Sequence, residues 1–148
     1  MLLLGFIVLT LGISGLFFSI LHIHSLYEIG QERMKDVNFV KGATLSTNMF
    51  YEGQARRDGA IFEYSEDEKN DYLKRCHEHG VVNMEMEGAA LAAFCNHVGV
   101  PFAMACSVMI NRLEGDQVKH TAAEMGKFSL LSQDLVVAYC LRTAKIDE

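Results

Sequence analysis

Two glutamates, Glu85 and Glu87, stand one residue apart in NMEMEGAALAAF, Asn83–Phe94, a stretch otherwise made almost entirely of apolar or small residues. A carboxylate next to an apolar run must be hydrogen-bonded, so each needs a backbone N–H, a cation or a ligand. A second set of reactive groups lies in FYEGQARRDG, Phe50–Gly59, which carries the amide of Gln54 and the guanidinium of Arg56. A third is Asn111 with Arg112, directly after the apolar run VPFAMACSVMI. The histidines of CHEH (Cys76, His77, His79) and HIH (His22, His24) offer metal donors, yet neither spacing completes a four-ligand zinc set, and no metal is expected. Cys76, Cys95, Cys106 and Cys140 form no CxxC pair and lie far apart, which predicts reduced thiols of an intracellular protein and no disulfide framework.

The elements that must position these groups alternate between strand and helix signals. In SEDEKNDYLKRCHEHG, Ser65 with Glu68 forms a capping box, acids fill the first turn, Lys74 and Arg75 lie near the last, and Gly80 is the stop, which predicts a helix. Glu28–Val37 reads as a short polar segment with helical character and Asn38–Thr47 as a strand. Val81–Met86 reads as a strand, Gly88–Val98 as a helix ending at Gly99, and Val100–Ile110 as a strand buried on both faces. Thr121 with Glu124 offers a second capping box, ahead of a helix reaching about Thr143. The order β, loop, α, β, α, β, α predicts an α/β layered domain with helices over a mainly parallel sheet. In such sheets ligands gather beyond the carboxyl ends of the strands. The loop after Thr47, the glutamates after Val82 and the Asn111–Arg112 pair after Ile110 all lie at such ends. Taken singly, EME also fits a solvated strand end, and QARRD also fits an exposed charged loop.

A length of 148 residues fits one domain, and a net charge of −6 with 13 scattered Lys and Arg provides no basic face for nucleic acid. The beginning of the chain is different in character. Leu2–Ile23 contains no Asp, Glu, Lys or Arg and meets the length of about 20 apolar residues that spans a bilayer as a helix, a transmembrane candidate. A signal peptide fits less well, because no basic residue precedes the run and no small-x-small site follows it. The next charges, Glu28, Glu32, Arg33 and Lys35, are mixed and set no orientation. A third reading is an unrelated segment in place of the true beginning of a soluble domain. The chain is thus divided into a hydrophobic segment, residues 1–24, and a domain, residues 25–148, with residues 24–37 the one linker-like stretch.

FYEGQARRDG, GVVNMEMEGAALAAFC and SVMINRLEGDQV, in this order and spacing, resemble the carboxy-terminal half of the uridine phosphorylases, in the nucleoside phosphorylase superfamily. The likeness runs from about Ser25 to about Thr143 and covers about half of a usual family member. It implies an α/β fold, a partial three-layer α/β/α domain, preceded here by the hydrophobic helix. It also implies roles for the site residues. Glu87 would accept hydrogen bonds from the vicinal ribose hydroxyls, which two carboxylate oxygens match side by side, with Met86 beneath the sugar and Glu85 nearby. Gln54 would donate to and accept from the imide edge of uracil, and Arg56 and Arg112 would face the oxygens that gain charge as the base leaves. Phe50, Met109 and Ile110 would wall the pocket. Purine-specific relatives place an acid where INRLEGD here places Arg112, so the pattern favours a pyrimidine.

The implied reaction is phosphorolysis of uridine to uracil and ribose 1-phosphate, through an oxocarbenium-like transition state. It uses inorganic phosphate as co-substrate and needs no metal or other cofactor. The family is cytoplasmic and its complete members are homo-oligomers; membrane attachment would require the Leu2–Ile23 helix to be a real anchor. In the family the phosphate ligands come from the amino-terminal half. LTLGISG, Leu9–Gly15, only faintly echoes its Arg-x-Gly-Thr-x-Gly turn, with Thr10 and Ile13 at the arginine and threonine positions. Two expectations follow: the chain is a fragment of an active uridine phosphorylase that does not turn over alone, or it is a non-catalytic, membrane-tethered relative that binds nucleoside weakly or contacts a partner protein.

Overall fold

Residues 6–11 and 16–145 are described by a computed structural model of the chain. The elements are β1 (Phe6–Leu11), α1 (Leu16–Arg33), β2 (Asn38–Lys41), β3 (Ala43–Ser46), α2 (Glu66–Glu78), β4 (Val81–Glu85), α3 (Gly88–His97), β5 (Ala103–Val108) and α4 (Ala122–Ala144). Short 3-10 turns occupy Glu52–Gln54 and Arg112–Glu114. One sheet has the order β2-β1-β5, with β1 parallel to β2 and antiparallel to β5; a second consists of β3 and β4, paired in parallel.

The expected single helix over Leu2–Ile23 is not supported. Phe6–Leu11 forms the middle strand of the three-stranded sheet, in register with Asn38–Lys41 on one side and Ala103–Val108 on the other. Among the described residues no helix is long and apolar enough to cross a membrane. Hydropathy cannot separate a bilayer helix from a strand paired on both edges, and the Ile, Val and Thr of FIVLTL suit a strand. The Gly12 and Ile13 of the faint phosphate-turn echo lie outside the described residues.

Residues 24–37 are also not a linker. α1 runs through them and delivers Ile23, Leu26 and Ile29 to the core, where Phe39 of β2 and Leu135 and Ala138 of α4 meet them. Ile29 and Leu135 are completely enclosed, and Phe39 packs edge-on against Tyr27 at 6.4 Å. The core thus lies between two helices and one face of the β2-β1-β5 sheet. The carboxyl end of α1 is tied to α4 by an ion pair of Glu32 with Arg142.

The strand expected over Asn38–Thr47 divides at Gly42 and serves both sheets. A Cβ at Gly42 would lie 2.5 Å from Val82 Cγ2, so the crossing chain passes against β4 with no space for a side chain. Both capping boxes form as expected, Ser65 with Glu68 and Thr121 with Glu124. α3 closes at Gly99 (φ 71°) with Val100 N–H on the Cys95 carbonyl at 2.8 Å and Gly99 N–H on that of Asn96 at 3.2 Å, a Schellman turn. The "mainly parallel" expectation holds for β1–β2 and β3–β4 and fails for β5, which runs against β1.

Candidate functional site

After β3 the chain turns through Glu52–Gln54, closes on Ala55 in the left-handed region (φ 49°), and returns Arg56 N–H to the Tyr51 carbonyl at 2.9 Å. This tight turn buries Gln54 and Arg56, only 7% and 8% exposed. Arg56 donates Nε and Nη2 to the two Asp58 carboxylate oxygens at 2.9 and 2.6 Å, and Nη2 also to the Asp116 carbonyl. Its guanidinium carbon sits 4.3 Å from the centre of the Phe50 ring. The fork geometry holds the Asp58 carboxyl below its ordinary 3.8, through Arg56's hydrogen bonds.

Arg112 reaches the same place from the turn after β5. Its Nη2 donates to the Gln54 and Ala55 carbonyls at 2.8 and 3.2 Å, and its Nε to Asp116 Oδ1 at 3.0 Å. Gln54, Arg56 and Arg112 therefore converge. Among the described residues, Arg112 Nη1 and Arg57 Nε of this cluster are buried without a hydrogen-bond partner. Buried donors are normally satisfied, so an unspent one at this point is informative. The Asp116 carboxylate also takes the Arg57 N–H at 2.9 Å and the Lys69 ammonium at 3.2 Å. Burial by itself would raise the Asp116 carboxyl, but these donors together with Arg112 hold it below 3.8.

The two glutamates of EME turn out to have different surroundings. Glu85 bends back over the start of α3: its Oε2 accepts from Glu87 N–H at 2.7 Å and Gly88 N–H at 2.6 Å. This supplies the acceptor that the orphan N–H groups of a helix start require. A Cβ at Gly88 would fall 2.7 Å from Glu85 Oε1, so a side chain there would push the Glu85 carboxylate aside. Glu87 is exposed, and among the described residues its carboxylate takes only the Met86 N–H, at 3.1 Å. The ends of β3 and β4 are locked by Thr47 N–H on the Glu85 carbonyl at 2.8 Å, and Ser46 Oγ accepts from Ala89 N–H at 3.0 Å.

An open cleft of roughly 460 Å³ lies at the ends of β3 and β4. Residues from Leu45 to Asn48 and Gly53 form one side, Met86, Ala89 and Ala90 the other, and Tyr72, whose hydroxyl donates to the Gly53 carbonyl at 3.1 Å, completes it. Gly53 immediately precedes Gln54, and Met86 immediately precedes Glu87. Of the residues singled out in the sequence, only Met86 lines the cleft. Phe50 stands against Arg56, and Met109 and Ile110 are half-buried beyond β5. Burial pushes the nearby Cys106 thiol up, with the Glu85 charge adding to it, which makes this cysteine a poor nucleophile.

The chain matches the family model described as the Phosphorylase superfamily over residues 22–142. The chain belongs to this superfamily. Within it the likeness is to uridine phosphorylases. Uridine phosphorylase A of Schistosoma mansoni is 36% identical over 120 residues, covering 81% of this chain and 40% of that protein. Inactive uridine phosphorylase B of the same organism is 35% identical over 120 residues, with the same shares. A crystal structure of uridine phosphorylase from Schistosoma mansoni in complex with thymine superposes with a TM-score of 0.86 at 30% identity, covering 95% of this chain and 56% of that one. The chain spans about two fifths of the length of these curated relatives. Likeness to a relative described as inactive, nearly equal to that to uridine phosphorylase A, means that resemblance alone does not decide turnover.

The structure adds residues to those read from the sequence. Asp58 and Asp116 hold the two arginines, Lys69 pairs with Asp116, and Tyr72 lines the cleft. Asp58 lies two residues after Arg56 and Asp116 four after Arg112, spacings that suit local ion pairs. Lys69 gave no signal, being one of several charges in the helix of SEDEKNDYLKRCHEHG.

Proposed function

We propose that these residues form the nucleoside-binding side of a uridine phosphorylase, with uracil read at Gln54, Arg56 and Arg112 and ribose held at Met86 and Glu87. The observation that carries this reading is the unspent buried donor Arg112 Nη1 beside Gln54, whose backbone carbonyl Arg112 Nη2 already holds. An imide edge presents carbonyl acceptors and an N–H, which such a set matches. The exposed Glu87 carboxylate, next in the chain to the cleft-lining Met86, suits a vicinal diol.

In the reaction, a phosphate oxygen attacks C1′, the C1′–N1 bond breaks, and its electron pair leaves with uracil. The negative charge spreads over the base carbonyls, where the two guanidiniums stabilise it without needing to reorganise. Glu87 and Met86 fix the sugar so that C1′ is presented to the incoming phosphate. Phosphate binding belongs to other residues: Arg56, Arg57 and Arg112 are already paired with Asp58, Glu66 and Asp116. Accordingly the 148-residue chain binds uridine but releases no uracil on its own.

Calorimetric titration with uridine, combined with chromatography of uracil after incubation with uridine and phosphate, tests both halves. Binding without uracil release is expected. Absence of uridine binding would favour the non-catalytic, partner-contacting relative. Uracil release well above the enzyme-free rate would show that these residues also hold phosphate.

A further inference from the structure

The same carboxylate that fixes Arg112 also lies against a lysine that the reaction does not use. Lys69, in the first half of α2, is only 3% exposed, and its ammonium reaches both Asp116 (3.2 Å) and Glu66 (3.0 Å). A lysine is almost never this buried without a paired anion. Around this point Arg56, Arg57, Arg112 and Lys69 face Asp58, Glu66 and Asp116, four cations against three carboxylates. The Glu52 charge also acts on Tyr64 in this cluster, and Arg112 Nη1 and Arg57 Nε are left there without a hydrogen-bond partner.

We infer that Asp116 and Lys69 are a pair of positioning residues for the base site: Asp116 fixes both arginines, and Lys69 offsets its charge so that Arg112 stays available to the base. The inference rests on the base-site reading proposed above. The geometry gives Asp116 a double hold. Its carboxylate takes Arg112 Nε at 3.0 Å and the Arg57 N–H at 2.9 Å, and its carbonyl takes Arg56 Nη2. One residue therefore joins the loop after β3, the turn after β5 and helix α2. If Asp116 faced Arg112 alone, the pair would be neutral, and the guanidinium would have little field left for an anionic base. The Lys69 ammonium restores it. Neither residue touches the base; both act through the arginines.

The test compares the 148-residue parent, Asp116→Asn and Lys69→Met by calorimetric titration with uracil from pH 6 to 9, alongside uridine at pH 7. Circular dichroism checks folding. Uracil becomes more anionic with rising pH, and the parent should bind it more tightly as that happens. Asp116→Asn should weaken uracil binding about tenfold or more, as loss of a charged hydrogen bond that orients a ligand contact would. Lys69→Met leaves every arginine ligand in place, so it should keep the fold but weaken binding several-fold and flatten the rise with pH. A merely structural role would leave that pH profile unchanged. In both variants the ratio of uridine to uracil affinity, which Glu87 sets, should stay at the parent value. Parent-like uracil affinity and pH profile in Lys69→Met would overturn the inference, whether or not Asp116→Asn folds. A parent that binds uridine but not uracil at any pH would overturn the base-site reading itself.

Discussion

Glu85 and Glu87 are chemically identical and two positions apart, yet their surroundings assign them opposite consequences on mutation. In Glu85→Ala, α3 loses the acceptor for the Glu87 and Gly88 N–H groups, held at 2.7 and 2.6 Å. Removal of a helix-start acceptor costs about 0.5–2 kcal/mol, and a charged acceptor serving two donors belongs at the upper end. A loss of about 2 kcal/mol corresponds to a fall in Tm of roughly 4–8 °C for a chain of this size. Glu85→Gln, which keeps one acceptor oxygen, should lose about half as much. Glu87→Ala removes an exposed side chain whose one hydrogen bond is to the adjacent Met86 N–H, so stability should change by less than about 0.5 kcal/mol. Its effect should fall on ligand instead: the preference for uridine over uracil should shrink by about tenfold or more, the contribution of a charged hydrogen-bond acceptor facing a diol. Thermal melts followed by circular dichroism and titrations with both ligands give the two readouts. If Glu87→Ala lowers Tm as much as Glu85→Ala while leaving the uridine preference intact, the division of roles is wrong.

At the sheet crossing, Gly42→Ala places a Cβ 2.5 Å from Val82 Cγ2 and should cost about 1–3 kcal/mol in urea unfolding, with the Gly42→Ala, Val82→Ala double variant recovering part of it. Additive losses in the double variant would show that the two residues do not meet. Acid should also reveal the base cluster. Asp58, held down by Arg56, and Asp116, held down against its own burial by Arg57, Lys69 and Arg112, both have folded values below the ordinary 3.8. Their stabilisation is complete above that value and is lost as pH falls from it through the lower folded values. Urea unfolding should therefore weaken steeply below about pH 4, and Asp58→Asn should flatten that limb; an unchanged acid limb would contradict the pairing.

Signals local in sequence were legible. The capping boxes at Ser65 and Thr121, the stop at Gly99 and the apolar strand before Asn111 depend on neighbours within a few residues, and all appear where expected. What depended on partners far along the chain was not. The run before His24 reads as a membrane helix because hydropathy reports apolar character and not pairing; only its register with β2 and β5 makes Phe6–Leu11 a central strand. The break at Gly42 arises from contact with Val82, forty residues later, which no local pattern signals. For the site, the three motifs singled out Gln54, Arg56 and Arg112, and the structure brings these residues together around Asp116. They did not distinguish the helix-capping Glu85 from the free Glu87, and they did not include Asp116 or Lys69, whose roles exist only once α2 packs beside the turn after β5.

The central claim is that one nucleoside bridges the Gln54–Arg112 cluster and the Met86–Glu87 strand end. A crystal structure of the chain with uridine tests it most directly. The base should lie with its carbonyls toward Arg112 Nη1 and the Gln54 amide, and the 2′- and 3′-hydroxyls should fall on the Glu87 carboxylate. Uridine bound with its sugar away from Glu87, or its base away from Gln54 and Arg112, would contradict it.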